Sequence, residues 1–123
     1  MNKSQALDHF WNKFQWDAYD ENSVPDELNF PYITYSQSTD SLGNVVALGA
    51  SLWDRSNSWE KVSDKADEIA RYLKEQGHVT LKLDNGYVWL VGGTPFAQRM
   101  SDPSDSKIKR IYLNVMGEFL TAH

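Results

Sequence analysis

The sequence predicts an α+β fold, an antiparallel sheet of four to five strands with two helices packed on one face, in the order α-β-β-α-β-β-β. Three observations carry this reading. Two segments repeat apolar residues at helical spacing, several others alternate apolar and polar residues as strands do, and Asn85-Gly86 stands between two alternating runs as a hairpin turn. A chain of 123 residues and 14.1 kDa is the size of one compact domain, taken here as 1–123.

The first helix is expected from about Ser4 to about Gln15. Leu7, Phe10, Trp11 and Phe14 fall at i, i+3, i+4 and i+7, and Ser4 is placed to cap the start. Asp17 to Asn29 carries Asp17, Asp20, Glu21, Asp26 and Glu27 with Pro25 and no sustained period, so it reads as a loop with an acidic surface. Phe30 to Tyr35 is rich in aromatic and β-branched residues, with its proline near the start, and is the first strand. Turn residues fill Gln37 to Asn44, ending in Gly43-Asn44. Alternation then resumes over Val45 to Trp53, a second strand pairing antiparallel with the first.

The second helix is expected from Ser58 as cap, with Trp59, Val62, Ala66, Ile69, Ala70 and Leu73 on its apolar side. Its polar side carries Glu60, Lys61, Asp64, Lys65, Asp67, Glu68, Arg71 and Lys74, and Gly77 ends it by accepting a left-handed backbone. With Asn85-Gly86 as the loop, Asp84 faces Tyr87, Leu83 faces Val88, Lys82 faces Trp89 and Leu81 faces Leu90. Val79, Leu81, Leu83, Val88 and Leu90 then cover the helices, while Tyr87, Trp89 and Val91 share the other face with Thr80, Lys82 and Asp84. Gly92 to Lys107, with two glycines and two prolines, reads as a long loop of the kind that is functional or disordered. Ile108 to Leu120 closes the chain as a long strand with Gly117 as a bulge.

Charge and composition exclude several classes. Twelve basic against 17 acidic residues give −5, which argues against a broad grip on a phosphate backbone, so nucleic acid is not an expected partner. There is no cysteine, which removes disulfides, thiolate nucleophiles and cysteine zinc sites. The opening residues lack the apolar core of a secretory signal. The most apolar run, Val45 to Trp53, is far shorter than the roughly 20 residues that span a bilayer, so a membrane partner is not expected either.

No catalytic constellation emerges. His9, His78 and His123 are scattered without paired-ligand spacing, no GxSxG surrounds a serine, and Gly92-Gly93 lacks the GK[ST] that cradles phosphates. Asp17, Asp20 and Glu21, or Asp102 and Asp105, are candidate acid and base groups, but carboxylates in Ser/Asp/Pro loops serve more often as turn and capping groups. No enzyme activity, metal or cofactor is expected.

The aromatic content points elsewhere. Five Trp, six Tyr and five Phe are more rings than one small core readily hides, and Tyr and Trp favour interfaces. Lys82, Tyr87 and Trp89 on the outer face of the hairpin are therefore the first contact candidates, against the alternative that the rings fill a second small core. Phe96, Arg99 and Met100 in the long loop are the second set, against the alternative of a plain mobile loop. Exposed rings also serve sugar binding, but that chemistry needs fixed polar groups beside the rings, and only Thr80, Lys82 and Asp84 fall there.

Four features together resemble the small tail terminator or tail completion proteins of long-tailed bacteriophages: the Leu7/Phe10/Trp11/Phe14 opening, Phe30 to Tyr35 entering a hairpin, the central helix from Trp59 to Leu73, and the closing strand from Ile108 to Leu120. Length and element order match over nearly the whole chain. The resemblance implies a structural subunit that forms a ring with itself, commonly a hexamer, on the head-proximal end of the tail tube. That ring stops tube polymerisation and presents a surface to the head-tail connector. Its partners are the tail tube protein and the connector, its site is the virion tail after assembly in the host cytoplasm, and no catalytic residues or cofactors are implied. The alternative is a non-catalytic protein- or carbohydrate-binding accessory domain using exposed aromatics.

Overall fold

The computed structural model describes residues 1–37 and 45–121. The expected turn ending in Gly43-Asn44, and His123, lie outside the described residues. In chain order the elements are α1 (Lys3–Asn12), β1 (Asp17–Asp20), β2 (Tyr32–Tyr35), β3 (Val45–Ala47), β4 (Ala50–Arg55), α2 (Glu60–Gln76), β5 (Val79–Leu83), β6 (Gly86–Ser101) and β7 (Ile108–Thr121). All seven strands join one sheet in the order β1-β2-β4-β7-β6-β5, with β3 also on β7. The fold is α+β, but the sheet has more strands than the four to five expected.

α1 begins one residue before Ser4 because Asn2 and Gln5 form a capping box, in which each side chain accepts from the other's backbone N–H. Ser4 Oγ instead accepts a hydrogen bond from the Gln37 side-chain amide nitrogen Nε2 at 2.6 Å. The helix stops at Asn12, and Gln15 takes a left-handed backbone (φ 71°) that turns the chain into β1. α2 forms where expected and ends at Gly77, whose φ of 72° suits a residue without Cβ. At its start the Ser58 hydroxyl accepts from the Glu60 N–H at 3.1 Å.

Two segments expected to be loops are strands. Asp17–Asp20 pairs parallel with β2, which its few residues and acidic composition conceal. The larger correction is Gly92 to Lys107, most of which belongs to β6. This strand follows β7 from Gly86 to Ser101, with Gly92 opposite Val115 and Ala97 opposite Leu113. The four residues between them therefore face a single residue of β7. This wide bulge accommodates Pro95, which has no N–H to donate, and it breaks the alternation that would have signalled a strand.

The other strands need smaller corrections. β3 and β4 share one register on β7 and are bridged by a Leu48 N–H bond to the Val115 carbonyl at 2.8 Å, so the expected second strand is continuous in its pairing. The hairpin register is shifted by two residues from expectation: Lys82 pairs with Tyr87 and Thr80 with Trp89, and Asp84-Asn85 form the turn. A two-residue shift preserves which face each side chain occupies, so the division of faces stands while Asp84 leaves the outer face. Gly117 is not a bulge, since it pairs in register with Val46 and Leu90. It is a close approach: a Cβ there would collide with Leu48 Cδ1 and crowd Leu90.

The core lies on one face of the sheet. Ala18, Ile33, Leu52 and Ile111 form one buried row across β1, β2, β4 and β7, and Val46, Leu90 and Val79 lie in another. Against them pack Leu7, Phe10, Trp11 and Phe14 from the first helical segment and Val62, Ala66, Ile69 and Leu73 from α2. α1 touches both β1 and β5, the two ends of the sheet order. A ten-residue helix is about 15 Å long, whereas six strands laid flat span about 24 Å, so the sheet curls to bring both ends onto α1. Lys65, expected on the polar side of α2, is instead buried. Its ammonium donates to the Phe14 carbonyl at 2.7 Å and to Glu68 at 3.0 Å, joining α2 to the end of the first helical segment.

Candidate functional site: the outer face of the sheet

With both helices on the inner side, the outer face has no helix over it, and register determines what it displays. Residues paired directly across strands point to the same face. One row of the outer face therefore runs Val45, Glu118, Trp89 and Thr80, a second runs Ala47, Met116 and Val91, and a third runs Leu120, Tyr87 and Lys82. Tyr87 is 48% exposed, Trp89 41% and Val45 57%, and Val91 and Leu120 are also exposed. Tyr87, Trp89, Val91 and Leu120 adjoin across β6 and β7, while Val45 lies two strands from Trp89 with Glu118 between them. Scattered exposed apolar residues need no explanation, whereas a contiguous group of this kind is a candidate contact surface.

Lys82, Tyr87 and Trp89 thus come together as expected. The His78 ring lies 5.1 Å from the Trp89 ring and flanks the group. Met116 and Leu120 of β7 complete it, although they were not among the candidates, because only the pairing of β7 with β6 brings them beside the hairpin. Their alternation was visible in the sequence; their neighbours were not.

Phe96, Arg99 and Met100 do not form one cluster. Phe96 sits in the bulge with its ring over Gly92, half-buried near Leu73 of α2, where it borders a groove of about 410 Å³. Arg99, opposite Ile111, is on the inner face, and its guanidinium lies 4.8 Å from the Trp59 ring, which Lys109 also approaches at 5.6 Å. Met100, opposite Arg110, is on the outer face and exposed.

The row containing Met100 crosses the second half of the outer face as Asp17, Tyr32, Trp53, Arg110 and Met100. Tyr32 stacks on Trp53 at 6.0 Å and 17°, and the Arg110 guanidinium covers Trp53 from the other neighbouring strand at 4.7 Å. The Trp53 indole N–H donates to Thr34 at 2.9 Å and Arg110 donates to Ser51 at 3.0 Å. Tyr32 and Arg110 cover the Trp53 ring from its two neighbouring strands, so Trp53 is packed within the ladder.

The candidate carboxylates behave as turn groups. The Ser104 hydroxyl and N–H hold Asp102 below the usual carboxylate range, and the Lys107 N–H and Arg55 do the same for Asp105. Groups held ionised in this way are not poised to donate a proton near neutrality. Asp20 accepts from the Asn22 N–H at 2.9 Å in the same manner. Among the described residues, no group of three or more His, Cys, Asp or Glu is placed to hold a metal ion, and no helix is long and apolar enough to cross a membrane. No family model, curated protein or solved structure matches the chain.

Proposed function

We propose that this protein is a structural subunit of phage assembly, a tail terminator that forms a ring with copies of itself on the head-proximal end of the tail tube, stops tube growth and offers a surface to the head-tail connector. The observation that carries the reading is the outer face of the sheet, where Tyr87, Trp89, Val91 and Leu120 form an exposed apolar group across β6 and β7. Such a surface has aromatic anchors of the kind found in protein contacts, with Glu118 and Lys82 beside the rings. The resemblance of the Leu7/Phe10/Trp11/Phe14 opening, Phe30 to Tyr35, the central helix and the closing strand to tail terminators supplies the biological setting. A ring needs heterologous contacts that close by rotation, and a terminator needs two further faces for tube and connector. Sugar stacking on Tyr87 and Trp89 would call for fixed polar groups beside the rings, and the hairpin register leaves only Thr80 and Lys82 on that face, so protein contact is preferred to the carbohydrate alternative.

The reading is tested in two steps. Light scattering across a range of protein concentrations is expected to show a discrete oligomer near six times 14.1 kDa. Adding the purified protein to polymerising tail tube protein is expected to shorten the tubes seen by electron microscopy. Unchanged tube length at excess protein would remove the terminator reading, and tryptophan quenching by oligosaccharides would replace it with the binding-module alternative.

A further inference from the structure

The two ends of the upper five-strand row β1-β2-β4-β7-β6 differ in how their edges are finished. On β1 the outward main chain is closed. The Asn12 side-chain amide bonds both the carbonyl and the N–H of Ala18, at 3.2 and 3.0 Å, and the Asp20 carbonyl accepts the Ser23 N–H at 2.9 Å. At the other end, β5 covers β6 only from Gly86 to Leu90. From Ala97 to Ser101, β6 pairs with β7 on one side, and among the described residues nothing bonds its main chain from the other side. All five residues are exposed. An open edge without proline or a covering element is a template for another extended chain.

Charge indicates which chain. Residues 17–27, comprising β1 and the start of its connection to β2, carry Asp17, Asp20, Glu21, Asp26 and Glu27 and no Lys or Arg. The opposite end carries Arg99, Lys107, Lys109 and Arg110, while Asp102 and Asp105 are held in the turn by Ser104, Lys107 and Arg55. Two copies of the β6 edge paired with each other about Arg99 would bring like charges together, which is destabilising. The acidic end of a second copy has the complementary sign.

We infer that the open β6 edge at Ala97–Ser101 is a subunit contact, met by the acidic connection that follows the closed β1 edge, residues 21–27, in the next copy of this chain. The inference rests on the ring reading and names its contact. Because the two surfaces are different and lie at opposite ends of the row, four strand spacings or about 19 Å apart measured along the sheet, each copy binds the next head to tail, and repetition closes a ring when the rotation allows. The outer-face apolar group then stays free for a partner other than the neighbouring subunit, or borders the same contact.

The test reverses charge on one side at a time. One variant carries Glu21→Lys, Asp26→Lys and Glu27→Lys, all at exposed positions, and the other carries Arg99→Glu with Lys107→Glu. Lys107→Glu alone serves as the second form of the basic-side variant, since Arg99 also contacts Trp59. Circular dichroism confirms that each is folded, and light scattering at low salt reads the mass. Each variant alone is expected to need at least a tenfold higher concentration to assemble than the wild type. An equimolar mixture, in which every reversed surface meets its complement, is expected to regain the wild-type mass, and roughly 0.5 M salt is expected to weaken the wild-type assembly by screening. Variants that assemble alone as the wild type does overturn the inference while leaving a ring built on another face. A mixture that stays monomeric overturns it too. A wild type that is monomeric at low salt also overturns it, and the tube-length assay then decides the terminator reading separately.

Discussion

The side chain of Asn12 does for Ala18 what a neighbouring strand would do. Its amide nitrogen donates to the Ala18 carbonyl at 3.2 Å and its amide oxygen accepts the Ala18 N–H at 3.0 Å. The last residue of α1 thereby closes the edge of β1 and pins the sheet margin to the helix it curls around. Both bonds are partly buried, and removing the side chain leaves two main-chain groups to find water. Asn12→Ala is expected to lower stability by about 1–2 kcal/mol. Urea denaturation followed by tryptophan fluorescence checks this, and an unchanged midpoint would show that water replaces the amide freely.

Lys65 makes a second prediction about the core. Its ammonium is buried beside the Trp16 ring and bonds the Phe14 carbonyl and Glu68. Lys65→Met keeps the length and apolar stem but leaves the Phe14 carbonyl without its donor, at an expected loss of about 1–3 kcal/mol. Glu68 is half-exposed, so Glu68→Gln is expected to change stability by less than about 1 kcal/mol. Equal losses from the two substitutions would mean that the ion pair, not the carbonyl contact, holds α2 in place.

Tyr35 gives a pH dependence. Burial first, and the nearby Asp8 carboxylate second, push its hydroxyl above the ordinary value of 10.0, and that hydroxyl donates to Asp8 at 3.1 Å. As pH rises through about 10, the unfolded chain gives up this proton and the folded chain keeps it, so the unfolded state binds fewer protons and stability falls with pH. The contribution is complete below that range. Burial moves Tyr32 in the same direction. Tyr35→Phe is expected to make the loss of stability between about pH 9 and 11 shallower than in the wild type. Parallel curves would assign the alkaline loss to other groups.

Trp89 and Leu90 separate surface from core on adjacent positions of one strand. Trp89 is 41% exposed and Leu90 is fully buried. Leu90→Ala is expected to cost about 2–5 kcal/mol, and Trp89→Ala about 1 kcal/mol or less. If the outer face is a contact in assembly, Trp89→Ala nevertheless weakens association, as read by light scattering or by the capping of tail tubes. A Trp89→Ala protein that assembles and caps normally would move the contact off this face.

Gly117 tests the close approach of three strands. Gly117→Ala adds a methyl group where Leu48 already lies, and about 1–3 kcal/mol of destabilisation is expected. Leu48→Val in the same chain is expected to recover part of it, since the shorter side chain makes room. A neutral Gly117→Ala would show that Leu48 moves aside at little cost.

Local regularities in the sequence were enough to place both helices, the β5–β6 hairpin faces and the closing strand, because each depends on a period that neighbouring residues share. Leu7, Phe10, Trp11 and Phe14 make a helical stripe whatever they pack against, and the separation of Tyr87, Trp89 and Val91 from Val88 and Leu90 survives a two-residue change of register. The outer hairpin face was legible for the same reason. Where a partner supplies the order, local pattern failed. β1 is a strand because β2 and Asn12 satisfy its main chain, and the second half of β6 is a strand because β7 holds it beyond a bulge that erases its alternation. Tertiary structure alone decided which side chains meet: Leu120 beside Tyr87, Arg99 on Trp59, and Trp53 between Tyr32 and Arg110. It also decided that one edge of the sheet is closed and another open, since an edge is defined by hydrogen bonds between segments far apart in the chain.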